Sequence, residues 1–289
     1  MNLYHYCSNA AFLSIVSTRT IWVSEFSLSN DLLEGKWIRK IVSDCCDERK
    51  LVIFDRDALL RQLDGIISFL GAAGFCMSEE PDILSQWRGY ADDGCGVSIG
   101  FNQNYFEQLG TVKMDRSDTF NASLKKVQYD VEKQKKILDA DLEKIFELVS
   151  KGALTTPSLL SMETPEQQTQ REKDFRNLTL ATFALFPHLY TFKNPAFREE
   201  NEWRLISLVT HGSKQSDDLT WELSRMDFRA LKDRIVPYRS INLERLDEAP
   251  IVDVVLGPRN ITPERVVEAS LMRHGWGIVP VRRSSASYR

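Results

Sequence analysis

Two glutamates and an arginine alternate along one late segment of the chain, Glu200-Asn201-Glu202-Trp203-Arg204. Alternate side chains of an extended strand lie on one face, so the spacing predicts that Glu200, Glu202 and Arg204 project together. Two adjacent carboxylates raise each other's pKa, and a nearby guanidinium opposes that effect. Such a group can hold substrate hydroxyls or stabilise a developing cation, which makes Glu202 and Glu200 the candidate catalytic residues. The alternative is a solvated sheet face with a salt bridge that contributes less than about 1 kcal/mol.

A histidine between two tyrosines lies in a predicted first strand over residues 3–7. The imidazole of His5 can donate a hydrogen bond to a ribose or an amide, while the ring of Tyr4 or Tyr6 stacks on a base. His5 and Tyr6 are therefore candidate binding residues. The alternative is a core histidine that bonds to the backbone.

A third candidate group follows the predicted strand at 73–78, which ends at Ser78. Trp87 and Tyr90 are three residues apart in a predicted short helix or turn over 82–90, so their rings share a face. They are either a stacking platform for a ligand or part of the core.

A hard metal ion is a further alternative in the polar loop at 27–34. Asn30, Asp31 and Glu34 carry the oxygen atoms that such ions prefer, but a capped loop also accounts for them. A metal-dependent nuclease that uses Asp31, Glu34 and Asp82 stays open on this basis. No phosphate loop, nucleophile elbow or zinc-protease motif occurs in the sequence.

The order of the elements predicts a mixed α+β fold. Strands are predicted at 3–7, 20–24, 73–78, 96–101, 202–209, 252–256 and 277–281, and helices at 9–18, within 32–70, at 82–90, within 131–190 and at 262–273. Strands at both ends around a long helical stretch favour one α+β domain over 1–289 with a helical insertion at 125–190.

Composition excludes some classes of protein. The 289 residues carry a net charge of -4, which argues against a protein that coats nucleic acid by charge alone. The five cysteines include no C-x-x-C pair, and the four histidines lack ligand spacing, so neither disulfides nor zinc are expected. No leader peptide or membrane span is predicted, and we expect a cytoplasmic protein.

Several segments together resemble a widespread bacterial family that is catalogued only as a domain of unknown function. They are Leu-Tyr-His-Tyr-Cys-Ser at 3–8, Thr-Ile-Trp-Val-Ser at 20–24, 28–34, Phe-Cys-Met-Ser at 75–78, 96–101, 197–204 and 284–289. Ser29 and Leu32 depart from the usual Asn-Asp-Pro form of the family.

The order of the candidate residues is also similar to that in the ADP-ribosyltransferases. His5 matches the first-strand motif, Ser78 or Tyr90 the second, and Glu202 the third. Glu200 and Glu202 resemble the two-glutamate form of members that modify side chains. The resemblance implies small mixed or antiparallel sheets of the ADP-ribosyltransferase type, NAD as substrate, and ADP-ribosyl transfer or NAD hydrolysis.

The same resemblance implies a role for each site residue. Glu202 would accept a hydrogen bond from the ribose, Glu200 would orient or deprotonate the acceptor, and His5 would bind the adenosine-side ribose. Tyr6 or Tyr90 would stack on nicotinamide, with Trp87 beside Tyr90. Ser78 would brace Glu202, and Arg204 would pin the carboxylates or meet the diphosphate.

The resemblance also frames the expected partners. The acceptor is an unknown protein or nucleic acid, and a toxin or phage-defence setting with an antitoxin or partner protein is compatible with NAD consumption. The alternative is a non-catalytic nucleotide- or protein-binding module. The Lys- and Glu-rich helical stretch at 125–151 would suit a protein interface.

Overall fold

One mixed β-sheet organises the chain. The structure, a computed structural model, describes residues 1–29, 34–110, 122–155, 164–210, 226–231 and 233–288. Within these residues the sheet has ten strands: β1 (Asn2–Cys7), β2 (Thr20–Glu25), β3 (Leu70–Ser78), β4 (Val97–Asn102), β5 (Ala122–Lys126), β6 (Glu202–Thr210), β7 (Asp227–Ala230), β8 (Ile235–Asn242), β9 (Ile251–Leu256) and β10 (Val281–Arg283).

Eight α-helices accompany the sheet in the same described ranges. They are α1 (Asn9–Thr18), α2 (Trp37–Glu48), α3 (Ile53–Phe69), α4 (Leu84–Tyr90), α5 (Gln103–Leu109), α6 (Val131–Ser150), α7 (Pro165–Phe183) and α8 (Glu264–Arg273). Capping residues stabilise the N-termini of two of these helices, α1 and α7. Ser8 accepts a hydrogen bond from the backbone of Ala11, and Thr164 forms a capping box with Gln167.

The sheet divides at β3. β6 pairs with β3 along its full length, from Leu70 to Ser78. The other edge of β3 is shared, because β1 pairs with it at Ser78 while β2 pairs with it at Ala73 and Gly74. Residues 75–77 therefore have no strand partner on that edge, and β1 and β2 diverge around them. We call this gap the fork.

Two apolar clusters cover opposite faces of the sheet. Residues of β3 alternate between them, since Ala73 and Phe75 belong to the cluster with α1, α5 and α8, while Ala72 belongs to the cluster with α2, α3, α6 and α7. On β6, Leu205 faces the first cluster and Ile206 the second. Alternation then places Glu202 and Arg204 on the side of the second cluster.

The mixed α+β class is confirmed, because β9 and β10 pair in parallel while the other strand pairs are antiparallel. The expectation of small sheets is wrong, since a single sheet includes all ten described strands. The stretch at 125–190 contains α6 and α7. The last strand begins at Val281 rather than at residue 277. Among the described helices, none combines the length and the apolar character that a membrane span requires.

Candidate active site

A cavity of about 380 Å³ lies in the fork. Its volume is at the lower end of the roughly 300–1,000 Å³ range of small-molecule sites. Side chains from both faces of the sheet line it, which is possible because β1 and β2 separate there. Among the residues that line it are Glu34, Lys193, Tyr90, Glu200, Glu202 and Arg204.

Glu202, Arg204 and their partners form a buried ion network on the β6 side of the cavity. Arg204 donates from Nε to Glu202 Oε1 at 2.9 Å and from Nη2 to Glu202 Oε2 at 2.9 Å. The same guanidinium donates to both carboxylate oxygens of Glu34, at 2.6 and 2.9 Å, and to the carbonyl of Tyr190 at 2.7 Å. All five N–H groups of Arg204 are thereby engaged. Arg204 pins two carboxylates and has no donor left for a diphosphate.

Lys193 joins the two candidate catalytic glutamates. Its Nζ donates to Glu200 Oε2 at 2.5 Å and to Glu202 Oε2 at 3.1 Å, and its side chain is buried. Nothing in the sequence around Lys193, which precedes an Asn-Pro turn, marks it as part of a site. Glu34, which was considered only as a metal ligand, is likewise a missed partner of Arg204.

The two glutamates do not alternate along one strand, so that prediction is wrong. Glu200 ends a 3-10 helix at Pro195–Glu200, and β6 begins at Glu202. Between them Asn201 adopts the left-handed conformation, with φ 41° and ψ 50°. Asparagine tolerates this region better than most residues. The reversal at Asn201 and the shared contact with Lys193 bring the carboxylates together.

The environments of the two glutamates move their pKa values in opposite directions. Burial raises the pKa of Glu202, but the charges of Arg204 and Lys193 outweigh it and lower the value to about 2. Burial also raises the pKa of Glu200, and there Lys193 does not compensate fully. Burial lowers the pKa of Lys193, whereas the two carboxylates raise it to about 12. Glu202 is thus ionised, and Glu200 binds a proton more readily than an ordinary glutamate.

His5 lines the cavity from β1. Its Nδ1 lies 2.8 Å from the carbonyl oxygen of Cys76 in the fork, and its ring stacks on Phe75 with centroids 4.1 Å apart. Since a carbonyl only accepts, Nδ1 carries the hydrogen and Nε2 is an acceptor in the neutral ring. Burial lowers the pKa of His5 to about 4. The imidazole is therefore neutral near pH 7.

Tyr90 and Tyr6 both line the cavity, but they differ in what they offer. Tyr90 is 43% exposed, and its hydroxyl donates to Glu200 Oε1 at 3.0 Å. The Tyr6 hydroxyl donates to the carbonyl of Glu80 and accepts from the backbone N–H of Ile83. The ring of Tyr6 also meets Trp87 edge-on. Of the two rings, that of Tyr90 has the free surface on which a ligand can stack.

Two predicted binding residues lie outside the cavity lining. Ser78 is buried and donates to the backbone carbonyl of Glu200 at 2.7 Å, so it braces the backbone before Glu202 rather than the carboxylate. Trp87 is fully buried, and its Nε1 donates to Asp82 Oδ1 at 2.7 Å. Trp87 and Tyr90 do not form a common platform, because Trp87 packs into the core.

The alternative of a metal site receives no support from the described part of the chain. Glu34 is paired with Arg204, and Asp82 accepts hydrogen bonds from Trp87, Ser284 and Ser285. Asp31 lies outside the described residues. Among the residues that are described, no group of three or more His, Cys, Asp or Glu side chains is arranged to hold an ion.

Part of the chain matches the sequence model of a known family. No curated protein and no solved structure matches the chain significantly. Residues 86–205 match the sequence model of a family described as "Protein of unknown function (DUF2971)". The matched stretch is less than half of the chain and includes Tyr90, Lys193, Glu200, Glu202 and Arg204, but neither His5 nor Ser78. The match supports the predicted resemblance to a family of unknown function, and it assigns no activity.

Proposed function

We propose that the chain binds NAD in the fork cavity and cleaves the bond between nicotinamide and ribose, with an ADP-ribosyltransferase-like arrangement of its site. One observation carries the proposal: His5, Tyr90, Glu200 and Glu202, which come from four separate elements, line a single cavity. ADP-ribose would pass to a protein or nucleic-acid acceptor, or to water.

The chemistry requires charge stabilisation rather than an acid. As the glycosidic bond breaks, its electron pair moves to the ring nitrogen of nicotinamide, which leaves as a neutral molecule. The ribose carbon acquires positive charge, as in other glycosyl transfers. The ionised carboxylate of Glu202 would stabilise that charge and accept a hydrogen bond from a ribose hydroxyl. Its Oε1 accepts one N–H from Arg204, which leaves it capacity for a hydroxyl donor.

Glu200 has the properties of a base for the incoming nucleophile. Its raised pKa brings it closer to neutral pH than Glu202, and pairs of carboxylates with separated pKa values commonly divide their roles in this way. Glu200 would take the proton of the acceptor or of water as the new bond to the ribose carbon forms. Tyr90 and Lys193 hold its two oxygens in position.

The remaining lining residues would position the dinucleotide. The Nε2 atom of neutral His5 would accept a hydrogen bond from a ribose hydroxyl, and the exposed ring of Tyr90 would stack on nicotinamide. The five free cysteines fit a reducing compartment such as the cytoplasm. A toxin or defence role, with a protein that restrains it, is part of this proposal.

The test is release of nicotinamide from NAD by the purified chain, followed by chromatography, with and without candidate acceptors. We expect Glu202→Gln to reduce the rate by roughly 10²–10³-fold, as for loss of one electrostatic stabiliser. Glu268→Gln, at an exposed position of α8, is the matched control and should leave the rate unchanged. Thermal unfolding of both variants would show that the fold is intact. Equal rates in Glu202→Gln and the wild type would reject the role of Glu202.

A non-catalytic nucleotide- or protein-binding module is the second candidate. It is favoured by the contacts that the carboxylates already make, because Arg204 and Lys193 bind Glu202 while Lys193 and Tyr90 bind Glu200. Titration calorimetry distinguishes the two candidates. Binding of NAD without any nicotinamide after long incubation would establish the binding module in place of the enzyme.

A further inference from the structure

We propose that Arg229 on β7 is the anion-binding residue of the fork cavity, and that the ligand places a phosphate or diphosphate group against it beside Ser24. The proposal rests on the proposed function only in that the ligand occupies the same cavity. It assigns the diphosphate contact, which was one of the two roles expected of Arg204, to a residue on another strand.

Arg229 is a cation that lines the cavity. Its Nη2 donates to the hydroxyl of Ser24 at 2.9 Å, and its guanidinium lies over the ring of Trp22, 5.4 Å from the centroid. The Nε atom is buried and has no hydrogen-bond partner in the part of the chain that the structure describes. Among the described residues, no carboxylate lies within ion-pair distance of this side chain. Burial lowers the pKa of Arg229, which reflects a charge that has lost water without gaining an anion.

Arg229 differs from the other cations of the cavity lining in its lack of a carboxylate partner among the described residues, and this difference favours it as the binding site of an anion. Arg204 and Lys193 each contact two carboxylates. Of the lysines and arginines in the described lining, Arg229 alone has none. An uncompensated guanidinium away from water is unfavourable, and an anionic ligand removes that penalty while it forms charge-assisted hydrogen bonds. The orphaned Nε–H is a donor that such a ligand can use.

The position of Arg229 also determines how far apart the two interacting groups of the ligand must be. Because the guanidinium contacts Ser24 and Trp22, it lies over β2. β2 is separated from β6 by β3, so the guanidinium and the carboxylate network are roughly 10 Å apart at about 4.8 Å per strand. A ligand that contacts both must carry its anionic group some distance from the atom that faces Glu202. A nucleotide, with its ribose between base and phosphate, has this form, whereas a nucleoside lacks the anion.

Titration calorimetry with four probes tests the proposal: NAD, ADP, inorganic pyrophosphate and nicotinamide riboside, which has no phosphate. We expect Arg229→Gln to weaken binding of NAD and ADP by roughly 10–100-fold, as for loss of a charged hydrogen bond. Binding of nicotinamide riboside should be unchanged. Arg229→Lys should retain part of the affinity, since lysine keeps the positive charge but lacks the planar guanidinium with its several N–H donors. Arg61→Gln, at an exposed position of α3, is the control.

The outcomes separate this proposal from the proposed function. Weaker ADP binding in Arg229→Gln, in a protein that releases no nicotinamide from NAD, supports the anion subsite and rejects the enzyme. Equal affinities for NAD and ADP in the wild type and Arg229→Gln overturn the subsite, and so does a wild-type protein that binds neither of them nor pyrophosphate. If Arg229→Gln does not fold, Arg229→Lys and the rise in the wild-type melting temperature with pyrophosphate decide the matter.

Discussion

The fork cavity has a β6 wall, which carries Arg204 and its partners, and a β7 wall, which carries Arg229. The two walls differ in whether their cations are paired with carboxylates. On the β6 wall, Arg204 and Lys193 are buried and fully paired with Glu34, Glu200 and Glu202. On the β7 wall, Arg229 is partly buried, and its neighbours among the described residues are a hydroxyl and an indole but no carboxylate. A paired network holds side chains in place before a ligand arrives, whereas an unpaired charge is available to bind one. We infer that the β6 wall fixes the geometry of the site and that the β7 wall selects an anionic ligand.

The largest expected effect is a difference in the free energy of unfolding between two variants, Arg204→Met on the β6 wall and Arg229→Met on the β7 wall. Arg204→Met leaves Glu34 and Glu202 buried without their main partner, so we expect it to lower the free energy of unfolding by about 3–5 kcal/mol. Arg229→Met removes a charge that is paired with no carboxylate of the described residues, and it should change the same quantity by less than about 1 kcal/mol. Urea unfolding of the two variants measures both. Equal losses would end the distinction between the walls.

A smaller loss of stability is expected from a substitution at Gly74, the glycine that packs against the β6 wall. Any Cβ at Gly74 would overlap the ring of Phe26, and that ring packs under the guanidinium of Arg204 at 4.9 Å. We expect Gly74→Ala to cost about 1–3 kcal/mol of stability through overpacking. Gly65→Ala is the matched control, because a Cβ in that position of α3 meets nothing within 4 Å. The control should be neutral or stabilising by up to about 1 kcal/mol, and a similar cost at both positions would contradict the packing argument.

The pH dependence of stability tests His5, which lines the same cavity from β1. The folded state holds the pKa of His5 at about 4, below its ordinary 6.5, so the unfolded chain binds more protons between these values. Stability should therefore fall as the pH drops from 6.5 toward 4. The ring is partly exposed, and we expect about 1–2 kcal/mol from this residue.

The measurement is the difference in unfolding free energy between the wild type and His5→Asn across that range, which cancels the titration of carboxylates common to both. The wild type should lose more stability than the variant on acidification. Parallel curves for the wild type and His5→Asn would show that burial does not hold the imidazole neutral.

The smallest effect is expected at the turn that sets the two glutamates side by side. Asn201 has a positive φ of 41°, so Asn201→Gly should change stability by only a few tenths of a kcal/mol, whereas Asn201→Ala should cost about 1 kcal/mol. Thermal unfolding distinguishes these values. A variant with alanine that is as stable as the one with glycine would show that the turn does not need the left-handed conformation.

The sequence predicted residues of the β6 wall, which carries a local sequence pattern, but not the β7 wall, which depends on contacts between distant segments. The strand that carries Glu202 and Arg204 and the strands of His5 and Ser78 were found because the alternation of side chains is a local signal. β7 and β8 were not predicted, and with them Arg229 was missed. Lys193 and Glu34 were missed as site residues because only the fold brings them to β6. For Trp87 the sequence left a ligand platform and the core as alternatives, because helical spacing cannot distinguish them, and the side chain is fully buried.

Saturation kinetics of nicotinamide release from NAD test the division of roles between the walls most directly. We expect Glu202→Gln to lower the rate at saturating NAD by roughly 10²–10³-fold with little change in the half-saturating concentration. Arg229→Gln should instead raise the half-saturating concentration by roughly 10–100-fold and leave the saturated rate nearly unchanged. The account is contradicted if both variants follow the wild-type curve, or if the two substitutions exchange these effects.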